Sequence, residues 1–248
     1  MKRKLLVTVI SVSFLVGMLS LALGLIPIQA SNGGNLVVNG GFEEPVVATP
    51  QDWDIYTSAE IPGWSVEWMP GPDTYNGLSR PAEASIELHR EIFGAAAEGQ
   101  QYAELDSDWD GPGGSYTGEP ASVRIYQDLP TMPGEEYELT FDFSPRPDTD
   151  ASNNILNVTW NGINVDIISA PGGTGTVWTE HTYTLTATGY VTRLAFTDMG
   201  TNDSLGTFLD DVSVVGPTPS GEETAWVCGE DFPGANWAMY LTYTVCDP

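Results

Sequence analysis

The chain has 248 residues, with 34 aspartates and glutamates against eight lysines and arginines, and its formal net charge is −26. We do not expect such an acidic chain to bind nucleic acid or anionic lipid, because both need clustered lysine and arginine. No lysine occurs beyond residue 30, which excludes P-loop, Schiff-base and lysine-base chemistry from the rest of the chain.

Residues 1–30 are predicted to form a secretory signal peptide. Three basic residues at positions 2–4 precede an apolar stretch from residue 5 to residue 25, and Ala30 is a small residue at a plausible cleavage site. The alternative is a retained membrane anchor, since the stretch is about long enough to span a bilayer. In either case the rest of the chain is exported, to the medium or the cell surface. After cleavage no membrane association is expected.

Alternation of apolar and polar residues dominates the rest of the chain and predicts half-buried antiparallel strands. The clearest cases are residues 136–143 and 177–187, and residues 155–160 and 163–168 flank Asn161-Gly162, a strong hairpin signal. Only residues 92–98 suggest a short helix. Further strands are predicted at residues 36–38, 64–68, 85–89, 101–105, 123–129, 191–197 and 207–215.

About ten short strands separated by glycine and proline turns indicate an all-β protein. We expect an antiparallel β-sandwich of the jelly-roll type over residues 35–215. Residues 216–221 then form a short linker rich in proline and glycine. Residues 222–248 form an aromatic tail that is too small to hold a core alone.

The two cysteines, Cys228 and Cys246, both lie in this tail. An even pair in an exported chain favours a disulfide, which would close the tail into a hairpin. Two free thiols are the alternative, and a zinc site is not expected because no further cysteine is present.

An acidic segment at residues 106–111 carries the pattern D-x-D-x-D-G, which opens a calcium loop. Asp106, Asp108 and Asp110 are therefore candidate calcium ligands. The twelfth position is Thr117 and not glutamate, so the segment is not an EF-hand. The alternative is a solvated acidic turn.

Five motifs in a fixed order resemble the galactose-binding-like β-sandwich domains of secreted bacterial proteins. These domains are related to calcium-containing carbohydrate-binding modules and to a plant cell-wall domain family of unknown function. The motifs are residues 35–45 (NLVVNGGFEEP), 61–64 (IPGW), 101–107 (QYAELDS), 137–144 (YELTFDFS) and 208–214 (FLDDVSV).

The resemblance implies a jelly roll with a structural calcium ion and, in many members, glycan binding. In the resembling modules, a glutamate after the first strand and an aspartate in the last strand hold the calcium. The matching positions here are Glu43 or Glu44 and Asp210 or Asp211. The alternative is that these are surface acids among the 34 of the chain.

Glycan sites use exposed aromatic rings that stack on the apolar faces of sugars. Trp109 is the leading candidate because it lies between two aspartates in a glycine-rich segment, with Tyr116 close by. The other candidates are Trp64, Trp68 and Tyr102, for which core packing is the alternative.

These observations predict a secreted, non-catalytic β-sandwich that binds a polysaccharide or cell-surface glycan and is stabilised by calcium. The alternative is a structural or adhesive surface protein without a specific glycan site. An enzyme is not expected, because no stretch stands out as a catalytic acid and no G-x-S-x-G motif occurs. The sequence specifies neither the glycan nor the oligomeric state.

Overall fold

The protein is described by a computed structural model that covers residues 30–32, 34–114 and 118–219. No α-helix occurs among these residues, and none of them forms a helix long and apolar enough to cross a membrane. Fifteen β-strands are present: β1 (Ala30–Asn32), β2 (Trp53–Thr57), β3 (Ser65–Trp68), β4 (Thr74–Tyr75), β5 (Leu78–Ser79), β6 (Ser85–His89), β7 (Tyr102–Glu104), β8 (Val123–Pro130), β9 (Glu136–Ser144), β10 (Ile155–Trp160), β11 (Ile163–Ser169), β12 (Thr179–Thr186), β13 (Val191–Asp198), β14 (Phe208–Val215) and β15 (Pro217–Pro219).

Two antiparallel sheets form the domain. The six-stranded sheet has the order β12-β9-β14-β7-β6-β2, and the five-stranded sheet has the order β11-β10-β13-β8-β3. Buried side chains from both sheets join in one hydrophobic cluster. The predicted antiparallel β-sandwich of jelly-roll type is confirmed.

Strand β9 follows the predicted alternation closely. Tyr137, Leu139, Phe141 and Phe143 are buried in the core, while the residues between them are exposed or half-buried. Because successive side chains of a strand point to opposite faces, this pattern fixes which face of β9 meets the other sheet.

The hairpin between β10 and β11 turns where the sequence predicts. Asn161 and Gly162 both have positive φ angles, of 51° and 77°. Positive φ at both central residues is the signature of the type I′ turn, whose twist matches that of the flanking strands. Trp160 at the end of β10 and Ile163 at the start of β11 form the strand pair that flanks the turn.

Two predicted elements differ from the structure. Residues 36–38 form no strand, because the Asn35 side chain replaces part of the ladder: its Oδ1 accepts hydrogen bonds from the amides of Val37 and Val214, both at 2.9 Å. Residues 92–98 form a loop and not a helix. Gly94 there has φ of 142°, which lies outside the helical region.

The segment predicted as a linker contains a strand. Within residues 216–221, β15 pairs antiparallel with β1 at the start of the described chain. The predicted signal peptide up to residue 29 and the tail at residues 222–248 lie outside the described residues, as do Cys228 and Cys246.

The first family motif packs against the last strand of the sandwich. The amide of Val212 donates a 3.0 Å hydrogen bond to the carbonyl of Gly40, and a Cβ atom at Gly40 would lie 2.0 Å from the Val212 carbonyl oxygen. Only glycine therefore allows this close approach.

We predict that Gly40→Ala destabilises the domain by about 1–3 kcal/mol, since the two chain segments must move apart. Gly173→Ala is the matched control, because a Cβ there would meet no atom within 4 Å. Thermal denaturation of both variants measures the effect. Equal melting temperatures for the two variants would contradict the proposed contact.

Candidate functional site

The outer face of the six-stranded sheet carries charged residues that are buried. On β6, Glu87 and His89 alternate with Ile86 and Leu88, and all four are buried. Ile86 and Leu88 belong to the sandwich core, so Glu87 and His89 lie on the opposite face. Loops must therefore cover this face of β6.

Glu104 on β7 lies at the centre of this charged group and is fully buried. Its Oε1 accepts a 2.7 Å hydrogen bond from the amide of Gly206, and its Oε2 lies 2.7 Å from Nε2 of His89. Arg146 forms an ion pair with the same Oε2. One carboxylate thus connects three separate chain segments.

The imidazole of His89 lies between two carboxylates, because its Nε2 is also 2.7 Å from Oε1 of Glu87. Burial alone would lower the pKa of His89, but Glu87 and Glu104 outweigh this effect and raise the pKa to about 9. Burial raises the pKa of Glu87, an effect that His89 opposes. The two carboxylates therefore favour the protonated form of the His89 imidazole.

Aromatic rings surround the charged group. His89 stacks on Tyr102 with 5.6 Å between ring centroids, and Phe93 and Phe208 stack at 5.7 Å. The guanidinium of Arg146 lies 4.6 Å from the centroid of Phe93. These contacts form a second, smaller packed layer outside the main core.

A pocket of about 310 Å³ opens beside this layer. Trp53 and Phe93 line it with aromatic rings, and the side chains of Glu87, His89 and Arg146 reach it from the charged group. The other lining residues are Ile92, Asp108, Gly118, Asp203, Ser204 and Leu205. Aromatic surface and convergent polar groups thus occur together in one concave place.

The acidic segment at residues 106–111 divides between two places. Asp108 and Asp110 join Glu119, and one carboxylate oxygen of each lies within 4.8 Å of the others. Asp106 is not part of this group: it is buried, and its Oδ2 accepts a 2.7 Å hydrogen bond from the amide of Asp203. Tyr116 lies outside the described residues.

Burial also perturbs the acids of this region. It raises the pKa of Asp108 to about 7. The hydrogen bond from the Asp110 amide lowers this pKa, and the charge of Glu119 raises it further. It raises the pKa of Asp198 to about 7, and that of Asp106 well above its usual range. Oδ1 of Asp106 and Oδ2 of Asp198 are buried without a hydrogen-bond partner.

The predicted calcium pair at the two ends of the domain meets at one loop. Oε1 of Glu43 accepts hydrogen bonds from the amides of Gln100 and Gln101, at 2.6 Å and 2.8 Å. Oδ2 of Asp210 accepts from the amides of Ala97 and Glu98, at 2.8 Å and 3.0 Å. Both carboxylates therefore hold the loop at residues 97–101.

The structure distinguishes the two members of each acidic doublet. Asp210 is fully buried and Glu43 is half-buried, whereas Glu44 and Asp211 are exposed. Burial raises the pKa of Asp210 to about 8, although the backbone amides oppose this. Glu98 also approaches this place, since its Oε2 would lie 2.3 Å from a Cβ atom at Gly41.

The exposed aromatic platform predicted at Trp109 is not present. Trp109 is 4% exposed, Trp64 2% and Tyr102 0%, so none of the three can present a ring face to a sugar. Trp64 packs in the core, where Phe42 stacks on it at 5.3 Å. Trp68 is half-buried and lines a different groove, of about 510 Å³.

The sequence assigned no role to two acids of the site, although Glu104 lies within the motif at residues 101–107. Glu87 and Glu104 lie on short alternating strands, where acids are ordinarily read as solvent-facing. Only the register of β6 with β7, which places Glu87 directly opposite Glu104, brings them together. The sequence does contain one signal. Glu87 lies two residues before His89, and His89 is one of only two histidines in the chain.

The buried imidazolium generates a prediction about pH. Because the folded-state pKa of His89 exceeds 6.5, its contribution to stability is complete below about pH 6.5 and is lost as the pH rises through about 9. An NMR titration of the two histidines measures this directly, and His181→Gln assigns the signals. We expect His89 to stay protonated at pH 7.5; titration at or below pH 6.5 would contradict the proposed pairing.

Comparison with known proteins gives matches to parts of the chain. A multifunctional-autoprocessing repeats-in-toxin protein of Vibrio vulnificus is 32% identical over 124 residues, or 49% of this chain and 2% of that protein. A protein of the same description from Vibrio cholerae is 31% identical over 124 residues, which again are 49% of this chain and 2% of that protein. The chain thus spans only a small part of these curated relatives.

Solved structures with a similar arrangement include carbohydrate-binding modules. A family 35 module from Clostridium thermocellum is 16% identical, with a TM-score of 0.35, and the match covers 65% of this chain and 96% of the module. A family 35 module from Paenibacillus barcinonensis is also 16% identical, with a TM-score of 0.33 and coverage of 64% and 96%.

Among families, residues 109–215 match the model described as "Protein of unknown function (DUF642)". The matched segment begins at Trp109 and ends with β14, so it includes the last two of the five sequence motifs, at residues 137–144 and 208–214. This match confirms the resemblance to the plant cell-wall domain family of unknown function.

Proposed function

We propose that this protein binds a neutral carbohydrate, without catalysis, in the pocket beside Trp53 and Phe93. The observation that carries the proposal is the composition of that pocket, in which two aromatic rings face the same space as several carboxylates. Ligand pockets combine apolar walls with a few precisely placed polar groups, and sugars need both kinds of surface.

The aromatic part of the pocket suits the apolar face of a sugar ring. Trp53 lies on the edge strand β2, directly opposite His89, and its side chain is half-buried. The His89 ring stacks behind it with 6.4 Å between centroids. This support holds the indole in place, so little conformational entropy is lost when a ligand binds.

The polar part of the pocket suits hydroxyl groups. Asp108 and Asp203 offer carboxylate oxygens, which accept hydrogen bonds from sugar hydroxyls. The guanidinium of Arg146 is already paired with Glu104. The lining therefore disfavours anionic ligands, which agrees with the overall charge of −26.

The partners of the carboxylates support binding without catalysis. A glycosidase needs one carboxylic acid and one carboxylate placed on either side of the scissile bond. Glu87 and Glu104 instead share the imidazole of His89. The shared imidazole directs both carboxylates towards His89 and away from a substrate.

We further propose that a calcium ion binds where Glu43 and Asp210 meet the loop at residues 97–101. The nearby Glu98 brings a third carboxylate to the same place. Calcium takes six to eight oxygen ligands, which carboxylates and loop carbonyls would supply. The ion would offset the repulsion among these acids.

We also propose that the protein is exported to the cell surface or the medium. The signal-like residues 1–30 support this proposal.

A structural or adhesive role without a glycan site remains the second candidate. The observation that favours it is the burial of the tryptophans: three of the six in the described residues are buried and three are half-buried. A binding experiment distinguishes the two candidates.

We predict that the protein binds at least one neutral polysaccharide on a glycan array, and that Trp53→Ala weakens binding about tenfold or more, as expected for a central tryptophan contact. Trp68→Ala is the matched control, since Trp68 is a half-buried tryptophan that lines the other groove. Isothermal titration with the selected oligosaccharide gives the affinities.

Three results would overturn this assignment. Absence of binding to every neutral glycan would favour the structural role. Loss of binding in Trp68→Ala but not in Trp53→Ala would move the site to the groove of about 510 Å³. Release of reducing sugar by the unmodified protein would contradict binding without catalysis.

We also predict that calcium raises the melting temperature. At a concentration about 100 times the dissociation constant, one bound ion stabilises the folded state by about 2.7 kcal/mol. Glu43→Gln is expected to lose part of this increment, whereas the exposed neighbour Glu44→Gln keeps it. Thermal melts with calcium and with EDTA measure it, and equal increments in both variants would argue against the site.

A further inference from the structure

We propose that Asp108, Asp110 and Glu119 form a second divalent-cation site, for calcium, at the edge of the pocket. It is separate from the place where Glu43 and Asp210 meet. The consequence for sugar binding rests on the proposed function, whereas the cation site itself does not.

The geometry of the three carboxylates suits calcium. One oxygen of each lies within 4.8 Å of the other two. Calcium–oxygen bonds are about 2.3–2.6 Å long, so two ligands on opposite sides of one ion are about 4.6–5.2 Å apart. The three oxygens therefore fit around a single calcium ion. All the donors are hard oxygens, which calcium and magnesium prefer over zinc or copper.

An independent observation points to a ligand at this place. Glu119 is fully buried, and its Oε1 has no hydrogen-bond partner. A buried carboxylate oxygen without a partner carries a large desolvation cost. Its other oxygen, Oε2, has only a long 3.5 Å contact with the hydroxyl of Ser204. A cation would satisfy the unpaired oxygen.

Within the part of the chain that the structure describes, no basic side chain supplies that charge. Among the ion pairs of the described residues, none includes Asp108 or Glu119. The two basic residues of the pocket lining have other partners: Arg146 is paired with Glu104, and His89 lies between Glu87 and Glu104. Two buried acids that repel each other thus face one another without a counter-charge.

The local fold already holds Asp108 in position. Its Oδ1 accepts hydrogen bonds from the amides of Asp110 and Gly111, both at 3.0 Å. Gly111 has φ of 66°, the left-handed conformation that lets the chain turn sharply here. Asp110 is exposed, so the site opens to solvent on that side and leaves room for water ligands.

The site shares residues with the pocket. Asp108 lines the pocket, and so do Gly118, which precedes Glu119, and Ser204, which donates a 2.9 Å hydrogen bond to the Glu119 carbonyl. A cation that joins Asp108 to Glu119 would hold this wall of the pocket in one arrangement. We therefore expect calcium to strengthen carbohydrate binding.

Terbium luminescence excited through tryptophan tests the cation site without any sugar, because Trp109 lies between two of the ligands in the chain. We expect calcium to displace terbium from the full-length protein more effectively than magnesium does. Glu119→Gln and Asp108→Asn should each weaken the terbium affinity about tenfold or more, since ligand charge sets the affinity of such sites.

Two control variants separate this site from others. Glu43→Gln should keep the part of the signal that Glu119→Gln removes, because Glu43 belongs to the other calcium place. Glu138→Gln should keep the whole signal, because it changes an exposed acid on β9. Melts in EDTA check folding: Glu119→Gln should melt no lower than the unmodified protein, because it removes an uncompensated buried charge. Unfolding of Glu119→Gln in EDTA would show that Glu119 has a structural partner and would overturn the proposal.

The remaining outcomes also decide the matter. An unchanged terbium signal in Glu119→Gln, or loss of the signal in Glu43→Gln alone, would overturn the site. Displacement by magnesium at the same concentration as calcium would overturn the calcium assignment. Failure of the protein to bind any glycan would end the proposed function and its coupling, but the terbium result would still decide the cation site.

Discussion

The buried carboxylate of Glu104 is the interaction on which the outer layer of this protein depends. It accepts the amide of Gly206, pairs with Arg146 and lies 2.7 Å from the imidazole of His89. Each partner comes from a different strand or loop. Breaking one such pair leaves an uncompensated buried charge, which typically costs 3–5 kcal/mol. The loops that form the pocket therefore depend on one another through this residue.

Carboxylates also take the place of regular structure elsewhere. Asp210 and Glu43 accept the amides of the loop at residues 97–101, a segment that forms neither helix nor strand. Three of these four hydrogen bonds are partly buried, and a polar group that is buried without a partner costs about 1–3 kcal/mol. Negative charge from two distant parts of the chain thus orders a loop that its own sequence does not order.

The large negative charge of the chain has more than one physical role. Exposed acids such as Glu138 lie on outward strand faces, where charge discourages edge pairing and keeps the sandwich soluble. Buried acids such as Asp106, Asp198 and Glu119 retain oxygens without partners. The acid content is therefore partly a surface property and partly a set of buried groups that favour a positive ligand.

The sequence alone determined the fold class and most strands, because alternation and the Asn161-Gly162 turn are local signals with a period of two residues. It also placed Asp108 and Asp110 in an acidic turn. Only the tertiary structure decided that Trp109 is buried, that Glu119 comes close to Asp108 and Asp110, and that Glu104 pairs with His89 and Arg146. Those meetings depend on strand register and on loops that cover the second face of the sheet. A local pattern cannot report whether an outward-facing residue is exposed or covered by another part of the chain.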